Sequence, residues 1–209
     1  MPSQQQEVYR SVPALVLWWI WAAFAAANLA DLAVQGRDHF SALVAAVVVL
    51  ITGAMYACAF RPKVIADEDG VTLRNPLRDH RVPWGAVTRV DLGDTLQIHT
   101  ARPGGGKDKV LYSWAVQSAR RSRARAEQRA VRSAAAQARR SPGYAKLPPE
   151  VREAMGRTHA ELTAQALASR ADAAREAGKS AGTAVGSWAW PSIAAVAVPA
   201  VAVIVVALL

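Results

Sequence analysis

Three stretches of this chain carry no charged side chain: Ser11 to Ala30, Ser41 to Phe60 and Ser180 to Leu209. A helix rises about 1.5 Å per residue, so roughly 20 apolar residues cross a hydrocarbon core of about 30 Å. The pattern predicts transmembrane helices at about residues 12–32, 40–60 and 187–209. The first two make a hairpin (12–60) through a short loop containing Asp31, Arg37 and Asp38, after an N-terminal tail of residues 1–11. A cleaved signal peptide is the competing reading of the first run, with small residues at "AAANLAD". Arg10 is offset by Glu7 and the run is long, which favours an uncleaved anchor. Trp188 and Trp190 stand at the entry to the third run, where indoles favour the headgroup region.

Between the second and third runs the period changes. Apolar residues recur at spacing two: Val71 and Leu73, Val82 and Trp84, Val90 and Leu92, Leu96 and Ile98, Val110 and Tyr112. Each pair sets two apolar groups on one face of a strand. Turn-forming "DEDG", "NPLRD", "PWG", "LGD" and "RPGGGKD" separate the pairs. About five or six short strands so spaced make a small antiparallel sheet or partly closed barrel. Val71, Leu73, Val82, Trp84, Val90, Leu92, Leu96 and Ile98 are its expected core, with Trp84 sharing the inward face of its strand with Val82. So small a unit needs cover for its open face, and "SWAVQSA" (113–119) is expected to run from the last strand into a capping helix. The fold class that follows is an α+β membrane protein. It has three transmembrane helices, a β domain over 61–119 and an Ala/Arg-rich helical hairpin over 120–186.

This order of elements, with "DGVTLRN" at 69–75 and "RVPW" at 81–84 after a transmembrane hairpin, resembles a known bacterial family. The family is that of membrane-tethered pleckstrin-homology (PH)-like proteins with the low-molecular-weight-antigen type of PH domain. The resemblance covers about residues 60–120. It implies two nearly orthogonal antiparallel sheets closed by a C-terminal helix. It also implies a binding or scaffold module that brings no catalytic residues with it.

Charge sets the expected orientation. The chain has 209 residues, 52% of them hydrophobic, and a formal charge of +9. Arg61 to Gly186 holds 23 of the 25 Lys and Arg residues and 13 of the 16 acids. Arg61, Lys63 and Arg74 follow the second helix, and Arg170, Arg175 and Lys179 precede the third. The positive-inside rule then makes this a multi-pass inner-membrane protein with its N-terminus and residues 61–186 cytoplasmic and its C-terminus outside. The single Cys58 lies within the second helix, so no intramolecular disulfide forms.

The usual catalytic constellations do not assemble. His39, His80, His99 and His159 are scattered, with no Cys or carboxylate at metal-ligand spacing, so neither metal nor cofactor is expected. "RPGGGKDK" departs from the phosphate-loop pattern at Ala101 and Asp108 and reads as a glycine hairpin. Eukaryotic lipid-binding PH domains commonly hold inositide headgroups around the loop joining their first two strands, which here is the acidic "ADEDG". The candidate contact residues lie around the next turn: Arg74, Arg78 and Arg81, each worth about 1 kcal/mol near an anionic surface. Solvated arginines that reinforce cytoplasmic retention are the alternative.

A second basic feature follows. Arg121, Arg125, Arg129 and Arg132 fall on one stripe of a helix whose opposite face is alanine. Nucleic-acid binding is disfavoured because no aromatics interleave with these arginines. An electrostatic contact with the inner leaflet, or a solvated helix packed through its alanines on a partner helix, remain equal readings. Pairing with a second copy is also open. The expectation is a non-enzymatic scaffold with a protein partner and anionic lipid headgroups at the membrane. The alternative is an accessory subunit of a membrane transporter or enzyme complex, for which Asn28, Thr52 and Cys58 are the polar groups within the spans.

Overall fold

The computed structural model describes residues 6–36, 38–102, 106–117, 159–179 and 182–209. Its elements, in chain order, are β1 (Glu7–Tyr9), α1 (Val12–Gln35), α2 (His39–Met55), β2 (Lys63–Ala66), β3 (Gly70–Arg74) and β4 (Arg78–Pro83). There follow β5 (Val87–Leu92), β6 (Thr95–Thr100), β7 (Lys109–Gln117), α3 (His159–Glu176), β8 (Val185–Trp188) and α4 (Trp190–Leu208). A π-helical turn at Tyr56–Phe60 prolongs α2, and a 3-10 turn at Trp84–Ala86 precedes β5. Two compact units result. One holds the chain up to Pro83, Ser113–Val116 and Gly182–Leu209; the other holds Trp84–Tyr112 and α3.

In the first unit α1, α2 with its π turn, and α4 are long and apolar enough to cross a membrane. α2 packs on both of the others. At Gly53 the approach to α4 is so close that an added Cβ would stand 1.8 Å from the carbonyl oxygen of Ala195. Small residues permit such close contacts between apolar helices. The Trp21 indole N–H donates to the Thr52 hydroxyl at 3.1 Å and ties α1 to α2.

The same unit contains a five-stranded antiparallel sheet in the order β1-β2-β3-β4-β8. Val64 pairs with Leu73, and Ala66 with Val71, which in turn faces Val82. These five side chains are fully buried and make one face dry. Period two sends the alternate residues Lys63, Arg74, Asp79 and Arg81 to the other face. Residues 7–9, within the stretch expected to be a tail, form an edge strand of this sheet. Residues 185–188, at the expected entry to the third helix, form the other edge.

The second unit is built on the three-stranded sheet β5-β6-β7. Leu96, Ile98 and Thr100 alternate inward from β6, and Leu111 is buried in the part of β7 that belongs to this unit. The cover comes from α3, which packs on β5 and the 3-10 turn through a stripe of Ala160, Thr163, Ala164, Leu167, Ala171 and Ala174. Spacings of three and four put these on one helix face. Gly178, at φ 63°, ends α3 in the left-handed conformation, where its N–H and that of Lys179 reach back to the carbonyls of Arg175 and Ala174.

Several expectations are corrected. "SWAVQ" (113–117) continues β7 as strand, because Ser113 and Ala115 point inward while Trp114 points out. Among the described residues the helix packed on this sheet is α3, against β5, while residues 118 and 119, where the expected capping helix would begin, lie outside them. In β7 the inward residues are Leu111 and Ser113 rather than Val110 and Tyr112, a one-residue change of phase that exchanges the faces. Trp84 is buried, but it opens the 3-10 turn instead of completing β4. Val90 and Leu92 are half-buried because β5 is an edge strand, while Val71, Leu73, Val82, Leu96 and Ile98 are buried. The basic helix with Arg121, Arg125, Arg129 and Arg132 lies outside the described residues.

Candidate functional site

The first sheet meets the helices at one end, where β1 enters α1, α2 leaves into β2, and β8 enters α4. Its last paired positions form a row of charge. Lys63 stands opposite Arg74, Arg74 opposite Asp79, and Asp79 opposite Ser187. Residues directly opposite in antiparallel strands share a face. Tyr9 is opposite Val64, so one further step along the register brings Arg10 beside Lys63. Arg61, from the end of the π turn, completes the set.

These residues line a cavity of about 370 Å³. Its cationic part is Arg10, Arg61, Lys63 and Arg74, and its one carboxylate is Asp79. Its aromatic part is Tyr56, Phe60 and Trp188. Tyr56 stacks on Phe60 with centroids 5.7 Å apart, and Trp18 of α1 packs on both rings.

Asp79 is already engaged. Arg61 donates to both of its oxygens, at 2.9 and 2.8 Å, and also donates to the carbonyl of Asn75. A forked guanidinium fits a carboxylate in this way better than any other cation. Asn75 is fixed in turn by the Trp114 N–H, which donates to its Oδ1 at 3.0 Å. Arg10, Lys63 and Arg74 make no ion pair among the described residues; Arg10 lies 5.8 Å from the Phe60 ring centroid. Burial, and then the charges of Arg74, Arg10 and Arg61, hold the Lys63 ammonium below the ordinary lysine pKa. The cavity is thus a positive site whose one carboxylate, Asp79, is hydrogen-bonded to Arg61 and reaches Lys63 only through its charge.

The arginines singled out from the sequence separate. Arg74 lines the cavity. The Arg78 guanidinium lies 4.0 Å from the centroid of the Trp188 ring. Arg81 is held by Asp67 through two hydrogen bonds, at 2.5 and 2.7 Å, and donates to the Thr72 hydroxyl at 3.0 Å. Asp67 also accepts the N–H groups of Asp69 and Gly70, closing the β2–β3 turn. The hydrogen bond from Arg81 is the main cause that holds the Asp67 carboxyl below its ordinary pKa.

Sequence pattern alone does not mark Arg10, Arg61 and Lys63 as site residues, although Arg61 and Lys63 flank the second apolar run. The available signal was basic residues flanking the ends of the apolar runs. Within the helices, the Asn28 side chain donates to the Phe24 carbonyl of its own helix, and the Thr52 hydroxyl donates to the Val48 carbonyl while accepting from Trp21 of α1. Cys58 is exposed.

Residues 61–134 match the family model described as Bacterial PH domain, which bears out the resemblance carried by "DGVTLRN" and "RVPW". No curated protein and no solved structure matches the chain.

Proposed function

We propose, from the premise that this chain carries a bacterial PH domain, that it is a non-enzymatic, membrane-anchored interaction module. In this reading three helices cross the inner membrane, and the N-terminus and residues 61–186 lie in the cytoplasm. The C-terminus is outside, as the positive-inside rule gives for basic residues flanking the second and third helices. The observation that carries the reading is covalent continuity: β1, β2 and β8 each join an apolar helix with no intervening linker longer than a few residues. A sheet so attached stays at the membrane surface, and whatever binds it is recruited there. The primary partner is a protein, with anionic lipid headgroups contributing at the helix ends.

An interaction role also accords with the polar groups in the helices. Asn28 bonds within its own helix and Thr52 bonds within α2 and to Trp21 of α1, so both serve to hold the helices, as expected of an anchor rather than of a transport path. The test is a pulldown from crosslinked detergent extracts, comparing the intact chain with one lacking residues 61–180. The expected result is partner recovery with the intact chain alone. Equal recovery with both would show that the helices, and not the PH domain, do the binding.

A further inference from the structure

We propose that the basic cavity at the foot of the helices holds the phosphate of an anionic phospholipid, with Lys63 and Arg74 as its main contacts. This deepens the reading of the chain as a membrane-anchored module and rests on it.

Three observations converge. The donors come from separate elements and point into one cavity, and Asp79 is hydrogen-bonded to Arg61. Lys63 and Arg74 are directly opposite one another, an arrangement in which like charges repel. A bound phosphate turns that repulsion into two charge-assisted contacts. The position agrees with the chemistry. Tyr56, Phe60 and Trp188 frame the cavity, and such rings occupy the level of the headgroups in a bilayer. The cavity opens beside the ends of α2 and α4, where a lipid alongside those helices presents its phosphate. Its volume of about 370 Å³ suits a headgroup and excludes a large folded partner. A zwitterionic choline headgroup brings its own cation to the same charges, so discrimination favours phosphatidylglycerol.

Native mass spectrometry of the purified full chain tests this, with phosphatidylglycerol or phosphatidylcholine added to the micelles. Phosphatidylglycerol should be retained at least about tenfold better. The double variant Lys63→Gln/Arg74→Gln should weaken retention roughly 30-fold, taking each basic residue at its usual worth near an anionic surface. The charge-matched control Lys107→Gln/Lys109→Gln should leave it unchanged. Because the double variant removes like-charge repulsion, its thermal midpoint should equal or exceed that of the wild type; a lower one overturns the charge argument.

Equal retention of both lipids, or equal loss in the control variant, also overturns the proposal. Displacement of the lipid by a large excess of inorganic phosphate would assign the cavity to soluble phosphate instead. Absence of lipid preference together with a C-terminal reporter exposed outside the cell removes this inference and leaves the anchored module standing. A cytoplasmic C-terminal reporter removes the membrane orientation itself.

Discussion

Replacing Gly53 with alanine places a methyl carbon 1.8 Å from the carbonyl oxygen of Ala195 and 2.7 Å from its carbonyl carbon. A carbon and a carbonyl oxygen in close contact stand about 3.3 Å apart, so α2 and α4 must separate by about 1.5 Å at the crossing. Both groups belong to helix backbones, and neither can turn aside as a side chain does. A gap of about 0.5–1 Å already forfeits a quarter to a half of the dispersion energy of each contact. Overpacking a tight core costs about 1–3 kcal/mol, and a backbone clash belongs at the upper end. Alanine recovers about 1 kcal/mol through its better helix propensity. The expected net loss is therefore about 2 kcal/mol, with Gly53→Val losing more. Reversible unfolding in mixed micelles, followed by tryptophan fluorescence, measures it. Val49→Ala, at a position 41% exposed on α2, serves as the control and should shift stability much less. A Gly53→Ala protein as stable as wild type would refute the close crossing and the packing argument drawn from it.

Asp79→Asn strips the counter-ion from Arg61, whose side chain is only 11% exposed. Breaking a fully buried pair costs about 3–5 kcal/mol, which the partial exposure of Asp79 reduces to about 2 kcal/mol in denaturant unfolding. The same variant should bind phosphatidylglycerol more tightly, because Arg61 is released into the cavity; weaker binding would contradict the placement. Asp67 has its folded pKa depressed, chiefly by the hydrogen bond from Arg81. Its stabilisation is therefore fully present above the unfolded value of about 3.9 and is lost as pH falls through the lower folded value. The stability gap between wild type and Asp67→Asn should stay constant from neutral pH down to about 5 and close below about 4; a gap that closes near neutrality would rule out this pairing. Leu167→Ala empties the fully buried centre of the α3 stripe and should cost about 2–5 kcal/mol. Hydrogen–deuterium exchange should report faster exchange in α3 and β5, and unchanged protection there would mean that α3 does not cover the sheet.

The apolar runs and the hairpins of the domain were legible in sequence because each depends on neighbours a few positions away. Twenty consecutive uncharged residues allow a long apolar helix, and "DEDG" and "NPLRD" close turns on either side of β3. Strands β1 and β8 had no such signature. "EVY" and "VGSW" are too short to show a period, and they become strands because β2 and β4 offer edge N–H and C=O groups that need partners. Phase was equally uncertain in β7, where Val110 and Tyr112 or Leu111 and Ser113 could each have faced inward until packing selected the second pair.

The charges show the division most clearly. Sequence by itself determined that basic residues flank the apolar runs, and hence the expected orientation. It could not say that Arg81 belongs to Asp67, that Arg61 belongs to Asp79, or that Arg10, Lys63 and Arg74 share one cavity. Those pairings follow from antiparallel register between strands far apart in the chain, and register is a property of the assembled sheet rather than of any one segment.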